Sequence, residues 1–138
     1  MIKKILIVDD DQGIRDSLKL LLEDEGYTIF LCPNAKDVSH YVEEKHPDII
    51  LLDVFLKGHD GRKICFQLKN KKGTKDIPII ILSGHKLTKS AITSYRADDY
   101  LQKPYDVHTL LKLIKKYLKP RRSLLEILSK PTRMDYTM

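Results

Sequence analysis

Four short strand-like stretches constrain the fold of this chain most, because each runs into polar residues that can take part in chemistry. They are residues 5–8 before Asp9 and Asp10, 49–52 before Asp53, 77–82 before Ser83, and 98–102 before Lys103. Short runs rich in Ile, Leu and Val that alternate with helix-length amphipathic stretches are typical of a parallel sheet buried on both faces. The carboxyl ends of such strands share one edge of the sheet, where open α/β folds bind ligands. We therefore expect these five polar side chains to meet in one cleft.

The whole chain predicts strands and helices in strict alternation. The predicted strands are β1 at 2–8, β2 at 28–31, β3 at 48–52, β4 at 77–82 and β5 at 98–102. The predicted helices are α1 at 12–25, α2 at 35–45, α3 at 62–70, α4 at 87–95 and α5 at 105–118. This alternation implies right-handed crossovers with helices on both faces of the sheet. The predicted fold class is therefore α/β, a doubly wound five-stranded parallel sheet.

The composition indicates one folded domain. The 138 residues are 42% hydrophobic and 32% charged, which supports one core but leaves no room for a second domain. No apolar run approaches the roughly 18 to 20 residues of a membrane helix, and no signal-peptide cleavage site follows the first apolar run. We therefore expect no membrane association and a cytoplasmic location. The net charge of +6 is spread over predicted helix surfaces without a recognition motif, so we do not expect a nucleic-acid partner.

Two further features lie outside the candidate cleft. Cys32 and Cys65 lack metal-ligand or Cys-x-x-Cys spacing, so we expect buried reduced thiols. Beyond Pro120, Ser123 and Glu126 have the spacing of a capping box that leads a short helix. That helix could dock on a partner or fold back on its own domain, and the sequence leaves both alternatives open.

The three acids of the predicted cleft repel one another. A pair of like charges a few ångströms apart costs on the order of several kcal/mol at an effective dielectric of 20, which a divalent cation would offset. Mg²⁺ prefers oxygen ligands. We expect Asp10, Asp53 and the backbone carbonyl of Phe55 to bind Mg²⁺, and Asp9 to hold a metal-bound water. Each acid alone would also fit a helix cap or a solvated strand end, but their combination with the polar residues at the other strand ends favours a metal site.

The residues at the other two strand ends complete a phosphoryl-transfer site. The Lys103 ammonium can pair with a carboxylate and then with phosphoryl oxygens, and the Ser83 hydroxyl can donate a hydrogen bond. Such a cradle neutralises the charge of a transferring phosphoryl group. Asp53 is then the nucleophile and becomes an aspartyl phosphate. The Lys103-Pro104 peptide bond at the strand end is a candidate for the cis form, which is almost confined to X-Pro bonds.

The chain resembles the receiver domain of bacterial two-component response regulators. The motifs that carry the resemblance are Asp9-Asp10, Asp53 followed by Gly58 and Asp60-Gly61, Ser83, Tyr100 and Lys103-Pro104. The resemblance covers residues 1–118 and leaves 119–138 as a C-terminal extension with a short helix and a tail. It implies a flavodoxin-like sheet in the strand order 2-1-3-4-5.

The resemblance also implies a function. Asp53 would accept a phosphoryl group from a sensor histidine kinase or a phosphotransfer protein, with Mg²⁺ as cofactor and with Ser83 and Lys103 as the other catalytic residues. Ser83 would then move toward the phosphoryl group and Tyr100 would turn inward, changing the α4-β5-α5 face. A downstream protein, or a second copy in a homodimer formed on phosphorylation, would read that face. The protein would be a signalling switch that catalyses only its own phosphorylation and slow dephosphorylation.

The sequence departs from the family pattern near α4 and leaves alternatives. Lys57 stands where the family usually has proline, Arg96 stands where it usually has glycine, and the stretch between Ser83 and Lys103 is short. These differences bear on the output face.

The sequence also leaves three alternative functions. A phosphatase of the haloacid dehalogenase type would need a second acid at the position of Phe55. A flavodoxin-like nucleotide binder would need a Gly/Ser/Thr phosphate loop after β1, where acids stand instead. A receiver-like scaffold without phosphorylation is the third alternative.

Overall fold

The computed structural model describes residues 2–119 and places five parallel strands in its central sheet. The strands are β1 Lys4–Val8, β2 Thr28–Cys32, β3 Ile49–Asp53, β4 Ile79–Ser83 and β5 Asp99–Gln102. Their order across the sheet is β2-β1-β3-β4-β5, which confirms the predicted order and fold class. Asp53 pairs in register with Leu82, and Ser83 pairs with Gln102, so the polar strand ends lie side by side.

Five helices connect and cover the strands within the described residues. They are α1 Gln12–Asp24, α2 Val38–Lys45, α3 Gly61–Lys69, α4 Lys89–Ser94 and α5 Val107–Leu118. Helix α4 is shorter than predicted because the Thr88 hydroxyl caps it, accepting a hydrogen bond from the Ala91 amide. The predicted helix at 123–128 lies outside the described residues. Nowhere in residues 2–119 is there a helix with the length and apolarity needed to cross a bilayer.

A short antiparallel hairpin that the sequence did not predict stands between β3 and α3. Its strands are Phe55–Leu56 and His59–Asp60, and they pair directly. The turn contains Gly58, whose positive φ of 70° is readily adopted by glycine. The hairpin therefore folds back over the carboxyl end of β3, beside Asp53.

Side chains fix where most helices begin. In the described part of the chain, four helices start at a residue whose side-chain oxygen accepts a hydrogen bond from an early helical amide: Asp11, Asp60, Thr88 and Asp106. Such caps satisfy amides that have no partner inside the helix and are worth roughly 1 kcal/mol each. They hold the loops at the carboxyl edge of the sheet in defined positions.

Alternate residues of the central strands pack on opposite faces of the sheet. One face packs with α2 and α3 through residues that include Leu6, Val8, Ile50, Leu52, Ile79, Ile81, Val42 and Leu68. The other packs with α1 and α5 through residues that include Ile5, Ile7, Ile49, Leu51, Ile80, Leu82, Leu22, Leu110 and Ile114. Helix α4 contributes no buried residue. It is therefore held less firmly than the other helices.

Both cysteines are buried and free, as the sequence predicted. Burial raises the pKa of the Cys65 thiol to about 12. Burial also raises the pKa of the Cys32 thiol, whose Sγ donates to the backbone oxygen of Asn34. Both side chains are therefore protonated thiols at neutral pH and serve as small apolar groups of the core.

Candidate functional site

Three carboxylates meet at the carboxyl edge of the sheet. Asp9 and Asp10 follow β1, and Asp53 ends β3. One carboxylate oxygen from each lies within 4.8 Å of the other two. Asp9 and Asp53 are only 2% and 9% exposed, so water screens their repulsion weakly. The juxtaposition that the strand pattern predicted is therefore present.

One ammonium group compensates part of this charge. The Lys103 Nζ donates to Asp9 Oδ2 at 2.9 Å and lies 3.8 Å from Asp53 Oδ2. Three carboxylates thus share one nearby lysine, and the cluster keeps a negative charge. The donor set consists of oxygens only, which is the chemistry that Mg²⁺ prefers, so these residues fit such an ion.

Backbone amides orient the three acids. Asp9 Oδ1 accepts from the Asp11 amide at 2.9 Å, and Asp10 Oδ2 accepts from the Lys57 amide at 3.0 Å. Asp53 Oδ1 accepts from the Phe55 amide at 3.3 Å. The hairpin therefore holds two of the acids through its own backbone. The backbone carbonyl of Phe55 stays a predicted metal ligand.

The environment of Asp53 changes its acidity. Burial, together with the charges of Asp9 and Asp10, raises the pKa of the Asp53 carboxyl, while Lys103 opposes the rise. A cation or an additional hydrogen-bond donor at this carboxylate would favour its ionised form. The cluster is thus arranged to respond to the binding of positive charge.

Glycine at position 61 lets the hairpin close on β3, the strand that ends at Asp53. A Cβ atom built at Gly61 would collide with the backbone oxygen of Asp53 and would lie 2.9 Å from the Cα atom of Val54. The Gly61 amide also donates to the Val54 oxygen at 2.7 Å. The sequence pointed to Gly61 only through the family resemblance, and the structure supplies the steric reason.

Ser83 and Lys103 lie at the ends of neighbouring strands. Ser83 is fully buried, and its Oγ accepts from the His85 amide at 3.0 Å, so the hydroxyl can still donate. The Lys103 amide donates to the backbone oxygen of Ser83 at 2.7 Å. The Lys103-Pro104 peptide bond is cis, as predicted.

Tyr100 is tied to the loop between β4 and α4. Its hydroxyl donates to the His85 backbone oxygen at 3.0 Å and accepts from the Leu87 amide at 3.3 Å. The amide of His85 bonds to Ser83, so the two predicted switch residues, Ser83 and Tyr100, are joined through one intervening residue. The sequence singled out both switch residues, but it gave no sign of this connection.

Two aromatic rings stand at the mouth of the site. The ring centroids of Phe55 and His85 are 4.4 Å apart, with an angle of 69° between the ring planes. Phe55 remains 49% exposed. The contact joins the hairpin to the loop before α4, and the sequence did not predict it because the residues lie on separate loops.

The structure accommodates the two residues, Lys57 and Arg96, that depart from the family pattern. Lys57 is exposed in the hairpin turn. Arg96 has a positive φ of 61°, in the left-handed region where glycine is favoured and other residues cost roughly 1–2 kcal/mol. Its guanidinium donates to Asn70 Oδ1 at 2.6 Å and lies 5.6 Å from the centroid of the Phe66 ring. These contacts offset part of the backbone cost and tie the end of α4 to α3.

Comparisons with known proteins identify the family of this chain. The model of the response regulator receiver domain family matches residues 5–115. The chain is 30% identical to a putative response regulator of Chloroflexus aurantiacus, over 87% of this chain and 100% of that one, with a TM-score of 0.80. It is 32% identical to the response regulator TrrA of Thermotoga maritima, solved in complex with Mg(2+)-BeF, over 85% and 100% of the two chains, with a TM-score of 0.77.

A third solved structure gives the same result. The chemotaxis response regulator CheY4 of Vibrio cholerae is 25% identical, over 86% of this chain and 100% of that one, with a TM-score of 0.79. The family match includes the acid cluster, Ser83 and Lys103, together with the strands that bring them to one edge. This chain therefore belongs to the response regulator receiver domain family of two-component signalling systems.

Proposed function

We propose that this receiver domain is a phosphorylation-dependent switch that accepts a phosphoryl group on Asp53 from a sensor histidine kinase or a phosphotransfer protein. The observation that carries the proposal is the Lys103 ammonium, which bridges Asp9 and Asp53 inside a compact cluster of acids. The ammonium group of a lysine placed between a metal-binding carboxylate and a nucleophilic carboxylate can exchange its ion pair with the carboxylate for one with the incoming phosphoryl oxygens. The domain would act in the cytoplasm, where its donor has access to ATP.

Asp53 is the proposed nucleophile. One of its carboxylate oxygens attacks the phosphorus of a phosphohistidine, and a P–O bond forms as the P–N bond breaks. The electron pair of that bond stays on the imidazole nitrogen, and the imidazole, protonated at its other nitrogen, leaves as a neutral group. This step needs positioning and charge neutralisation more than acid or base catalysis.

The remaining residues stabilise the transferred group. The Lys103 ammonium pairs with one phosphoryl oxygen, and the Ser83 hydroxyl donates to another. Asp9, Asp10, Asp53 and the Phe55 carbonyl would hold a Mg²⁺ ion, which supplies positive charge to the phosphoryl oxygens when bound. The protein would catalyse its own phosphorylation and slow dephosphorylation only.

The conformational change would pass through His85, whose backbone is hydrogen-bonded to both Ser83 and Tyr100. When the Ser83 hydroxyl turns toward a phosphoryl oxygen, its bond to the His85 amide is strained or lost. The His85 carbonyl is held by Tyr100, so the change reaches β5 and the loop that leads to α4. Helix α4 can then shift without exposing core, and a downstream partner or a second copy would read the α4-β5-α5 face.

Incubation with Mg²⁺ and phosphoramidate, followed by intact-mass and peptide analysis, tests the proposal. We expect one hydroxylamine-labile phosphoryl group on the wild-type protein and none on Asp53→Asn. Asp16→Asn, at an exposed position of α1, is the matched control and should be phosphorylated normally. Absence of the group from the wild type, or its presence on Asp53→Asn, would contradict the proposal and favour a scaffold without phosphorylation.

A further inference from the structure

Four exposed lysines and one exposed histidine lie beside the mouth of the candidate site. We call this set the basic rim, and its members are Lys36, Lys57, His59, Lys63 and Lys86. None of its four lysines forms an ion pair with any residue in the range 2–119. Their charge is therefore available to a partner.

The rim spans three loops and the first turn of α3. Lys36, His59 and Lys63 line one shallow groove of about 210 Å³ between α3 and the loop that precedes α2. Lys57 lies in the turn of the hairpin, two residues before His59, and its amide donates to Asp10. Lys86 follows His85, whose ring contacts Phe55 of the same hairpin. The hairpin thus connects the groove to the edge of the site.

Acids near the rim do not cancel its charge. Asp60 also lines the groove, but the guanidinium of Arg62 engages it through a 2.6 Å ion pair and a second contact from Nε to both carboxylate oxygens. Arg62 holds the pKa of Asp60 below its usual range. Asp37, beside Lys36, is half-buried at the start of α2. The rim therefore carries a net positive charge of several units above a recessed acidic cluster.

A protein donor that reaches Asp53 has to approach the hairpin that carries Lys57 and His59. Asp53 is only 9% exposed, so a phosphohistidine must enter the mouth before its phosphorus can reach the carboxylate. The surface around that histidine then lies within roughly one Debye length, about 8 Å at physiological salt, of the rim. Charges this close accelerate the association of partners with opposite charge and disfavour those with the same charge.

On the proposed function, we infer that the phosphodonor protein carries a cluster of acidic side chains beside its histidine, and that the basic rim docks on this cluster. The rim would select among donors that have similar histidine chemistry. Its contribution lies in the association step, because exposed charges act mainly on encounter rates and are screened by salt. Nucleic acid is the competing occupant, and the experiment below distinguishes it.

The experiment uses the full chain and the autophosphorylated histidine-kinase domains of the organism that encodes it. Transfer is first measured from every donor, and the fastest is kept. The test variant is Lys63→Glu with Lys86→Glu, two exposed members of the rim that make no contact with the acid cluster. The matched control is Lys112→Glu with Lys115→Glu, two exposed α5 lysines that form no ion pair within residues 2–119. Melting temperatures confirm that both variants fold.

We expect the rim variant to lose about tenfold or more in kcat/KM for the fastest donor at low salt, and less at high salt. Its phosphorylation by phosphoramidate should change by less than about threefold, because that small donor does not dock on the rim. The control variant should stay within about twofold for both donors. Replacing acids beside the donor histidine with lysine should restore transfer to the rim variant.

Three outcomes would overturn the inference. Transfer to the rim variant could equal transfer to the wild type at low salt. Phosphoramidate and the protein donor could be affected equally, which would place the lysines in the chemistry rather than in docking. The rim variant could lose retention on duplex DNA while transfer is unchanged, which would identify nucleic acid as the occupant. A wild-type protein that neither phosphoramidate nor any kinase phosphorylates would instead overturn the proposed function, and the inference with it.

Discussion

The rings of Phe55 and His85 meet edge to face across the mouth of the candidate site, with their centroids 4.4 Å apart. Hydrolysis of an aspartyl phosphate requires a water in line with the bond that breaks. The apolar ring of Phe55 occupies the space that this water would need, whereas the imidazole of His85 could only help to position the water. The contact also means that each ring restrains the other.

We therefore expect Phe55→Asn to hydrolyse its phosphoryl group faster than wild type, by about tenfold, because a single well-placed group is worth roughly that factor. His85→Ala should change the rate less. Decay of labelled phosphoprotein in excess Mg²⁺ measures both, and Phe66→Asn, an exposed phenylalanine on α3, is the control. A Phe55→Asn variant as slow as wild type would show that this ring does not guard the site.

Neutralising Asp10 should stabilise the metal-free protein. Asp10→Asn removes one of three clustered charges, and the new amide oxygen can still accept from Lys57. We expect a gain of about 1 kcal/mol, which corresponds to roughly 3–6 °C in melting temperature for a domain of this size. Mg²⁺ should raise the melting temperature of wild type more than that of the variant. An equal increase in both proteins would mean that the metal site is elsewhere.

The pH dependence of stability should report Asp53. Its pKa is raised on folding, mainly by burial, so the folded protein holds that proton more tightly than the unfolded chain. Metal-free stability should therefore fall as pH rises from the ordinary carboxyl range through the raised pKa, and stay at the lower level above it. Asp53→Asn should lack this fall. Urea unfolding in EDTA across a pH series measures the difference.

Asp60 should show the opposite pH dependence of stability. Arg62 lowers its pKa, so the stability it contributes is present above the ordinary carboxyl pKa and is lost as pH falls through the lowered value. Asp60→Asn should therefore be less stable than wild type at neutral pH, and the gap should close in acid. If both variants differ from wild type by a constant amount at every pH, neither carboxyl has the assigned role.

Tyr100→Phe should uncouple output from phosphorylation. The substitution removes the bonds to the His85 oxygen and the Leu87 amide but leaves the acid cluster intact. We expect normal phosphorylation by phosphoramidate. Beryllofluoride should change the NMR chemical shifts of the backbone amides of residues 86–96 by about half as much as in wild type, or less, because one hydrogen-bonded link is lost. Tyr117→Phe, whose hydroxyl bonds to Asp98 and Asp99, is the control and should respond as wild type.

Gly61 should tolerate no side chain. Gly61→Ala would force a methyl group against the backbone of Asp53 and Val54, and we expect a loss of about 1–3 kcal/mol together with slower phosphorylation. Gly73→Ala is the matched control, because nothing lies within 4 Å of its added Cβ and its φ is not positive. That variant should be neutral or gain up to about 1 kcal/mol. Equal stabilities of the two variants, measured by urea unfolding, would contradict this account.

The sequence predicted the sheet and the five central side chains for a geometric reason. Parallel strands place their carboxyl ends at one edge, so residues far apart in the chain can be assigned to one site from strand pattern alone. Asp9, Asp53 and Lys103 were found in this way. The order of the strands came from the family resemblance instead, because alternation by itself allows several orders.

Features built from short loops could not be predicted. The hairpin strands have two residues each, too few to show a periodic pattern. The contact of Phe55 with His85 and the hydrogen bond of Arg62 to Tyr95 depend on how segments far apart in the chain approach each other. Helix α4 was predicted to begin at residue 87, but the Thr88 hydroxyl caps it and the helix begins at Lys89. A cap of this kind depends on the local backbone geometry and leaves no periodic signal in the sequence.

The lack of buried residues on α4 also affects how the domain can evolve. Since no buried residue lies on this helix, its surface can change sequence with little effect on the stability of the sheet and its core. The edge of the sheet around Asp53 has no such freedom, because Gly61 lies in close contact with the backbone of Asp53 and Val54. On the proposed function, a lineage could therefore acquire a new downstream partner by substitutions on α4 while its kinase and its chemistry stay the same.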